Sequence, residues 1–435
     1  MARLSHTVFV FAGIFGSACS SQNASPTGSA GEGGANTTGS DSSGGGFSGA
    51  TGATGATDGG STSTSTITGS STGAASGPAS GATGASSSGT AAALGDGGPD
   101  VPDGANPETD ATTPPAAAAA GDGDYMVGPT YTKSPDLISK GAPTGKSFHF
   151  TMNSTDSQIF TGMDSTLLAA NQHSFTRGVD VYVPAKYTDG TAAPFMVIQD
   201  GPGQLANVEV ALDNLTQGTD PTRRLPAFLA IAVANGGGDS IGSERGLEYD
   251  TMSDRYARFV ETEVLPAVLA NAAITAAFPH LALTADPDGR GAVGCSSGSA
   301  AALTMGWFHP EWFHRIVTYS GTFVDQQNPA AAEQATYPLG AWDYHSDLDL
   351  IGSTAPKPLR VFVNANEMDN GYTTDESGHH NWLMANQRTA AALQAQGYHY
   401  RYVEGLGAGH CDGRVQDLTM ADTLLWVWSG YPVGP

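Results

Sequence analysis

Arg290-Gly-Ala-Val-Gly-Cys-Ser-Ser-Gly-Ser299 is the stretch on which the reading of this chain turns. Within it, Gly294-Cys295-Ser296-Ser297-Gly298 fits G-x-S-x-G, the pattern of a strand that breaks sharply into a helix and lifts a serine oxygen above a sheet. The turn leaves no room for a Cβ at its flanks, which is what the two glycines supply. Ala292-Val293 can end a buried strand, and Ser299 to Phe308 starts small and turns apolar, as a packed helix does. The competing reading is a Gly/Ser-rich turn ahead of a core helix.

A serine raised in this way needs a base and an acid. On a doubly wound α/β sheet they follow it in the order acid, then histidine, each beyond the end of a strand. Arg315–Ser320 and Leu359–Val363 read as buried strands, and the second leads into Asn364-Ala-Asn-Glu367-Met-Asp369. Tyr398–Val403 reads as the last strand, followed by the glycine-rich Gly405–Gly409 and His410. The constellation is therefore Ser296, Glu367 or Asp369, and His410, with Thr419–Trp428 a closing helix. His410 would serve Ser296 as base, and the carboxylate would fix its tautomer. Trp342-Asp-Tyr-His345 falls in a loop that could line an acyl pocket or simply pack. His379-His380, beside Asp375-Glu376, reads as a solvated patch or a metal site.

Upstream, Lys146–Met152 and Phe175–Val183 alternate as half-exposed strands. Phe195–Ile198 is a short apolar run ending in Gln199-Asp-Gly201-Pro-Gly203. Backbone N–H groups there, from Gly201, Gly203 or Gln204, could join Ser297 N–H in an oxyanion hole; a plain turn is the alternative. Phe228–Ala234 is a continuous apolar run, as a central parallel strand should be. Asp254–Leu269 carries apolar residues at helical spacing.

Four segments carry a family resemblance. They are Ser243-Glu-Arg-Gly-Leu-Glu-Tyr-Asp250 with Val260-Glu-Thr-Glu-Val-Leu-Pro266, then Ser320-Gly-Thr-Phe323, then Asn381-Trp-Leu-Met-Ala-Asn-Gln387. In order and spacing around the elbow, from about residue 193 to the C-terminus, they resemble the enterochelin-esterase-like branch of the α/β-hydrolases, which includes feruloyl esterases. The resemblance implies an α/β-hydrolase fold, with a mostly parallel central sheet and helices on both faces. It further implies a serine carboxylic-ester hydrolase that needs no cofactor and no metal, with Glu367 at the acid position and Asp369 its rival.

Two of the three cysteines adjoin proposed site residues, Cys295 before Ser296 and Cys411 after His410. If Ser296 and His410 are within hydrogen-bond reach, their neighbours come within the roughly 5.5–6 Å between Cα atoms that a disulfide spans. A Cys295–Cys411 bridge is expected; two buried free thiols are the alternative. Cys-Ser…His-Cys is similar to the arrangement in tannases and fungal-type feruloyl esterases. With the family resemblance, it points to acyl or hydroxycinnamoyl esters of carbohydrates. An acyltransferase, a non-catalytic binding domain and a peptidase remain open.

The chain has 435 residues and a net charge of −24, which argues against nucleic-acid or anionic-membrane partners. Residues 1–18 read as an export signal, with Arg3, the apolar run Val8–Phe15 and the small residues Gly16-Ser-Ala18. Cys19 follows directly. The arrangement resembles a bacterial lipoprotein signal, which implies a lipid on Cys19 as the one membrane contact and an exported, envelope-held or secreted protein. An ordinary secretory signal is the alternative. Residues 19–124 are Ser, Gly, Thr and Ala-rich, with Phe47 their sole aromatic, too little apolar surface to offset the entropy of ordering. They read as a tether, leaving 125–435 for one catalytic domain with a small-molecule or carbohydrate-linked ester as partner.

Overall fold

The computed structural model describes residues 121–239, 241–328 and 332–433. They lie in the second of two compact units of the chain, Pro102–Pro435. The export signal, Cys19 and the tether as far as residue 120 lie outside the described residues.

Nine strands form one sheet: β1 (Gly123–Val127), β2 (Lys146–Asn153), β3 (Thr176–Val183), β4 (Phe195–Ile198), β5 (Leu229–Val233), β6 (Arg290–Cys295), β7 (Arg315–Tyr319), β8 (Arg360–Met368) and β9 (His399–Gly409). Their order across the sheet is β1-β9-β8-β7-β6-β4-β5-β3-β2. Only the β2–β3 and β3–β5 pairs are antiparallel. All other pairs are parallel. Five helices bear on the argument: α1 (Leu205–Thr216), α2 (Glu244–Tyr249), α3 (Ser297–Phe308), α4 (Trp382–Ala395) and α5 (Gly413–Val427). This is the α/β-hydrolase architecture.

The apolar runs explain the layering. Every residue of β4 and β5 is buried, because helices cover both faces of the sheet there. Alternation sends Phe195, Val197, Ile231 and Val233 into one core, where α3 and the long helix packed beside it lie. Met196, Ile198, Ala230 and Ala232 enter the other, under α1 and α5. The long helix runs Arg255–Phe259, a π-helical turn Val260–Val264, and Leu265–Ala270.

Several strands differ from expectation, among them β9, which runs on through the glycine-rich stretch to Gly409. β3 is not half-exposed, because it lies between β2 and β5 and is covered on both sides towards its C-terminal end. β8 runs on to Met368, so Glu367 is still part of the strand, and Asp369 is the first residue past it. β1, at the edge beyond β9, begins at Gly123, two residues before the expected start of the domain.

Candidate functional site

The elbow joins β6 to α3 at the centre of the sheet. Ser296 has φ 59° and ψ −129°, a left-handed conformation rare for a side-chain-bearing residue and the kind of strain that functional turns hold. Ser296 N–H donates to Tyr319 O at 3.0 Å, and Ser296 O accepts from Thr322 N–H at 3.1 Å. A Cβ on Gly294 would sit 2.2 Å from the carbonyl of Gly298. One on Gly298 would press within 2.9 Å of the Gln199 side chain and 3.0 Å of Asp200 Oδ2. Both glycines are thus required by close packing of backbone and loop.

His410 follows β9 and lies partly exposed. Its Nδ1 is 2.6 Å from Oδ1 of Asp369, whose side chain is completely buried. The Asp369 carboxylate also accepts the N–H of Asn370 at 2.9 Å and of Asn366 at 3.2 Å. A carboxylate so placed can hold the imidazole with Nδ1 protonated and Nε2 free to take a proton. Glu367, the acid position implied by resemblance, does not face His410. As part of β8 it projects to the surface, where its carboxylate accepts Gly407 N–H at 2.7 Å. The strand's extra length is the physical reason for the correction.

Cys295 and Cys411 form a disulfide with 6.0 Å between their Cα atoms, joining the residue before Ser296 to the residue after His410. The base loop is held further by Ser320, whose hydroxyl accepts Cys411 N–H at 3.0 Å and Asn366 Nδ2–H at 3.2 Å. Cross-linking positions 116 residues apart removes denatured-state entropy worth about 4–5 kcal/mol before native strain is counted. The Cys295→Ala/Cys411→Ala protein is therefore expected to lose about 2–5 kcal/mol of stability. Thermal melts of it and of the parent, with and without reductant, would show this. A melt unmoved by either treatment would mean the bridge carries no stability.

The oxyanion positions divide. Ser297 is the first residue of α3, so its N–H has no acceptor within the helix. Gly201 N–H is committed to Val233 O at 2.9 Å and is not available, a correction to its assignment; the turn draws on the end of β5 to close itself. Gly203, with φ 47°, remains as a donor candidate.

That turn is clamped from α2. Arg245 binds the Asp200 carboxylate with two nitrogens, Nε to Oδ1 at 2.8 Å and Nη2 to Oδ2 at 2.9 Å. Asn235 Nδ2–H adds a bond at 2.7 Å, and Asp200 N–H donates to the Tyr249 hydroxyl at 3.0 Å. Burial works against the Arg245 charge, yet its hydrogen bonds and attraction to Asp200 outweigh it and hold the guanidinium above its ordinary pKa. Asp200 itself has φ 56°, so the clamp fixes an unfavourable backbone conformation just before Gly201-Pro-Gly203. Next along, burial pushes the Asp250 carboxyl up to about 7, against the pull of Arg245, Gln326 and the Ser297 hydroxyl. Arg245→Ala is expected to lower kcat for an ester about 10- to 100-fold with little change in KM, because a loop displaced by about 1 Å misaims its donors. Arg245→Lys, which keeps the charge but not the fork, should recover only part. Unchanged kcat in a folded Arg245→Ala protein would remove the positioning role.

Several contributors had no individual signal in the sequence. Ser296 Oγ is 3.2 Å from Thr322 Oγ1, which also accepts Trp382 Nε1–H at 3.2 Å. The Trp382 ring lies edge-on to His410 with centroids 6.1 Å apart. Asn386 braces the turn by pairing with both Gly321 N–H, at 3.2 Å, and Gly321 O, at 2.8 Å. All of these fall inside the segments that carried the family resemblance, so those segments are the supports of the site. Trp342 and Tyr344 are buried packing residues, and Trp342 stacks on His379 at 4.5 Å. Burial drives His345 down to about 4, with Nε2 against Phe323 O at 2.8 Å. Among the described residues, no group of His, Cys, Asp and Glu could hold a metal ion, and no helix is long and apolar enough to cross a membrane.

Among solved structures, the enterobactin esterase of Shigella flexneri is similar at 17% identity and TM-score 0.42, covering 69% of this chain and 63% of its own. A ferulic acid esterase is similar at 16% identity and TM-score 0.44, covering 65% of this chain and 97% of its own. The ferulic acid esterase of the anaerobic fungus Anaeromyces mucronatus is similar at 11% and 0.44, covering 69% and 98%. The chain thus spans about 63% of the length of the enterobactin esterase. No curated protein matches it. The family model described as "Putative esterase" matches residues 172–412, more than half of the chain, and the chain belongs to this esterase family.

Proposed function

We propose that the protein is a serine carboxylic-ester hydrolase with Ser296 as nucleophile, His410 as base and Asp369 as the acid partner. The observation that carries this reading is the 2.6 Å contact of His410 Nδ1 with the buried Asp369, in a chain of esterase family with a strained serine elbow. In the free molecule the Ser296 hydroxyl rests on Thr322, and its contact with His410 forms with substrate; catalytic hydrogen bonds commonly tighten only then. Ser296 Oγ attacks the ester carbonyl while His410 Nε2 takes its proton. Ser297 N–H and a second backbone donor, Gly203, receive the developing oxyanion. The tetrahedral adduct expels the alcohol, which takes the proton from His410, and water then cleaves the acyl-enzyme by the same route.

Acyl or hydroxycinnamoyl esters of carbohydrates are the proposed substrates. Two features support this: the Cys-Ser…His-Cys bridge, and the Trp382 ring beside His410, an apolar surface for a planar acyl group. Export, with a lipid on Cys19, is part of the proposal. A disulfide fits an oxidising compartment.

The test is reaction of the full chain with a fluorophosphonate, mapping of the adduct by peptide mass spectrometry, and rates on p-nitrophenyl acetate, p-nitrophenyl butyrate and methyl ferulate. Labelling on Ser296 with hydrolysis of at least one ester is expected. Preference for acetate over ferulate would leave the hydrolase standing and remove the hydroxycinnamoyl assignment. No adduct and no turnover would sink both.

A further inference from the structure

Asp250 follows α2 directly, and its carboxyl is buried at the back of the site, with the residue 3% exposed. The reaction described above gives it no part, yet three pieces of the machinery meet at it. Its Oδ2 accepts Gln326 Nε2–H at 2.9 Å, and Gln326 lies on the loop after β7 that also carries Thr322. Arg245, the clamp on the Asp200 turn, attracts it from α2. The Ser297 hydroxyl bears on it from the start of α3, and Ser297 supplies the first oxyanion N–H.

The surroundings suit this carboxyl poorly as an anion. Its Oδ1 is buried without a hydrogen-bond partner. All three nitrogens of Arg245 are committed elsewhere: Nε and Nη2 to Asp200, and Nη1 to Asp239 at 3.4 Å. Asp200 adds a like charge from the turn after β4. Burial, with Asp200, therefore prevails over Arg245, Gln326 and the Ser297 hydroxyl, and the group titrates near neutrality. A proton on Oδ1 cancels the unpaired charge and turns the carboxyl into a donor for the Ser297 hydroxyl. Loss of that proton leaves a negative charge beside the residue whose N–H receives the oxyanion, where like charges repel strongly.

We propose that Asp250 is a positioning residue that works in its neutral form, tying Ser297 to Gln326 and the Arg245 clamp, and that its ionisation opposes the oxyanion and slows acyl transfer. The inference rests on the hydrolase reading, with Ser297 N–H as an oxyanion donor. A triad alone gives a rate that rises as His410 gives up its proton and then levels off. This site adds a descending arm, centred near pH 7, as Asp250 ionises.

The test measures two rates on the full-length protein across about pH 5 to 9: fluorophosphonate labelling of Ser296 and kcat on p-nitrophenyl butyrate. In the parent both should fall about tenfold on the alkaline side, the scale of one like charge at the effective dielectric of a protein. Asp250→Asn, a neutral amide of the same shape, should lose the descending arm whatever its absolute rate. Gln326→Leu removes a donor that favours the anion, so its arm should move about one unit to higher pH. A purely structural Asp250 would lower the whole profile without changing its shape. Labelling with a flat alkaline side in the parent, or an arm of equal size in Asp250→Asn, would overturn the role of Asp250 and leave Ser296 standing. No labelling of Ser296 at any pH would remove the hydrolase reading and this role with it.

Discussion

Ser296→Ala is expected to reduce kcat on any ester the protein hydrolyses by about a million-fold, the loss seen when a serine hydrolase is deprived of its nucleophile. The structure gives a reason to expect so complete an effect. Ser296 is held at φ 59° by its own N–H on Tyr319 O and by Thr322 N–H on its carbonyl, so an alanine can occupy the same turn without disturbing it. The substitution deletes the hydroxyl and leaves the backbone donors in place. Binding of substrate should survive, and a residual rate above that in water, of about 10³–10⁴-fold, should persist from the oxyanion donors alone. Pre-steady-state measurement with p-nitrophenyl butyrate is the decisive check, because the parent should release an initial burst of nitrophenol and the variant none. A variant that retains the parent's rate would place the nucleophile elsewhere.

Asp369→Asn should cost about 10⁴-fold in kcat, whereas Glu367→Gln should change it by no more than about threefold. The asymmetry rests on what each carboxylate touches. Asp369 is buried and accepts from Asn366 and Asn370 N–H as well as meeting His410 Nδ1. An asparagine in its place satisfies the same pocket by volume. With its one oxygen kept for Asn366 N–H, which bonds Oδ2 in the parent, the amide presents nitrogen at the Oδ1 position to His410 and stabilises the wrong tautomer. Glu367 is exposed and touches only Gly407 N–H, so its loss removes one surface hydrogen bond. Kinetics of both variants on one substrate, with far-ultraviolet dichroism to show folding, separates the two. The reverse ranking would restore Glu367 as the acid partner.

The two carboxylates also show where the sequence stops being legible. Both follow the same apolar run, two residues apart, and the run itself does not say where pairing ends. β8 keeps its partner β9 with a shift in register between Asn366 and Met368, so the strand carries Glu367 outward before the chain turns to bury Asp369. That is a property of the ladder. Gly201 is a similar case: a glycine after a buried strand is a fair oxyanion candidate, but Val233 takes its N–H, and that acceptor lies 32 residues further on. The elbow is readable for the opposite reason. Its constraint is local and steric, since no residue but glycine fits at positions 294 and 298. The cysteines are readable because their neighbours in sequence tell where they lie in space. Thr322, Trp382 and Asn386 fall between. Their segments are recognisable as family pattern, while the bonds they make to the elbow and base loop depend on side-chain geometry that no spacing encodes.

The bridge between Cys295 and Cys411 also makes a closed loop of the chain that contains β7, β8 and α4. Ser296 and His410 both stand inside its two ends. A peptide bond cut anywhere between them, for instance at the exposed turn around Tyr372, yields two pieces that remain covalently joined beside the reacting groups. The link that sets the base loop thus also lets a nicked molecule stay whole.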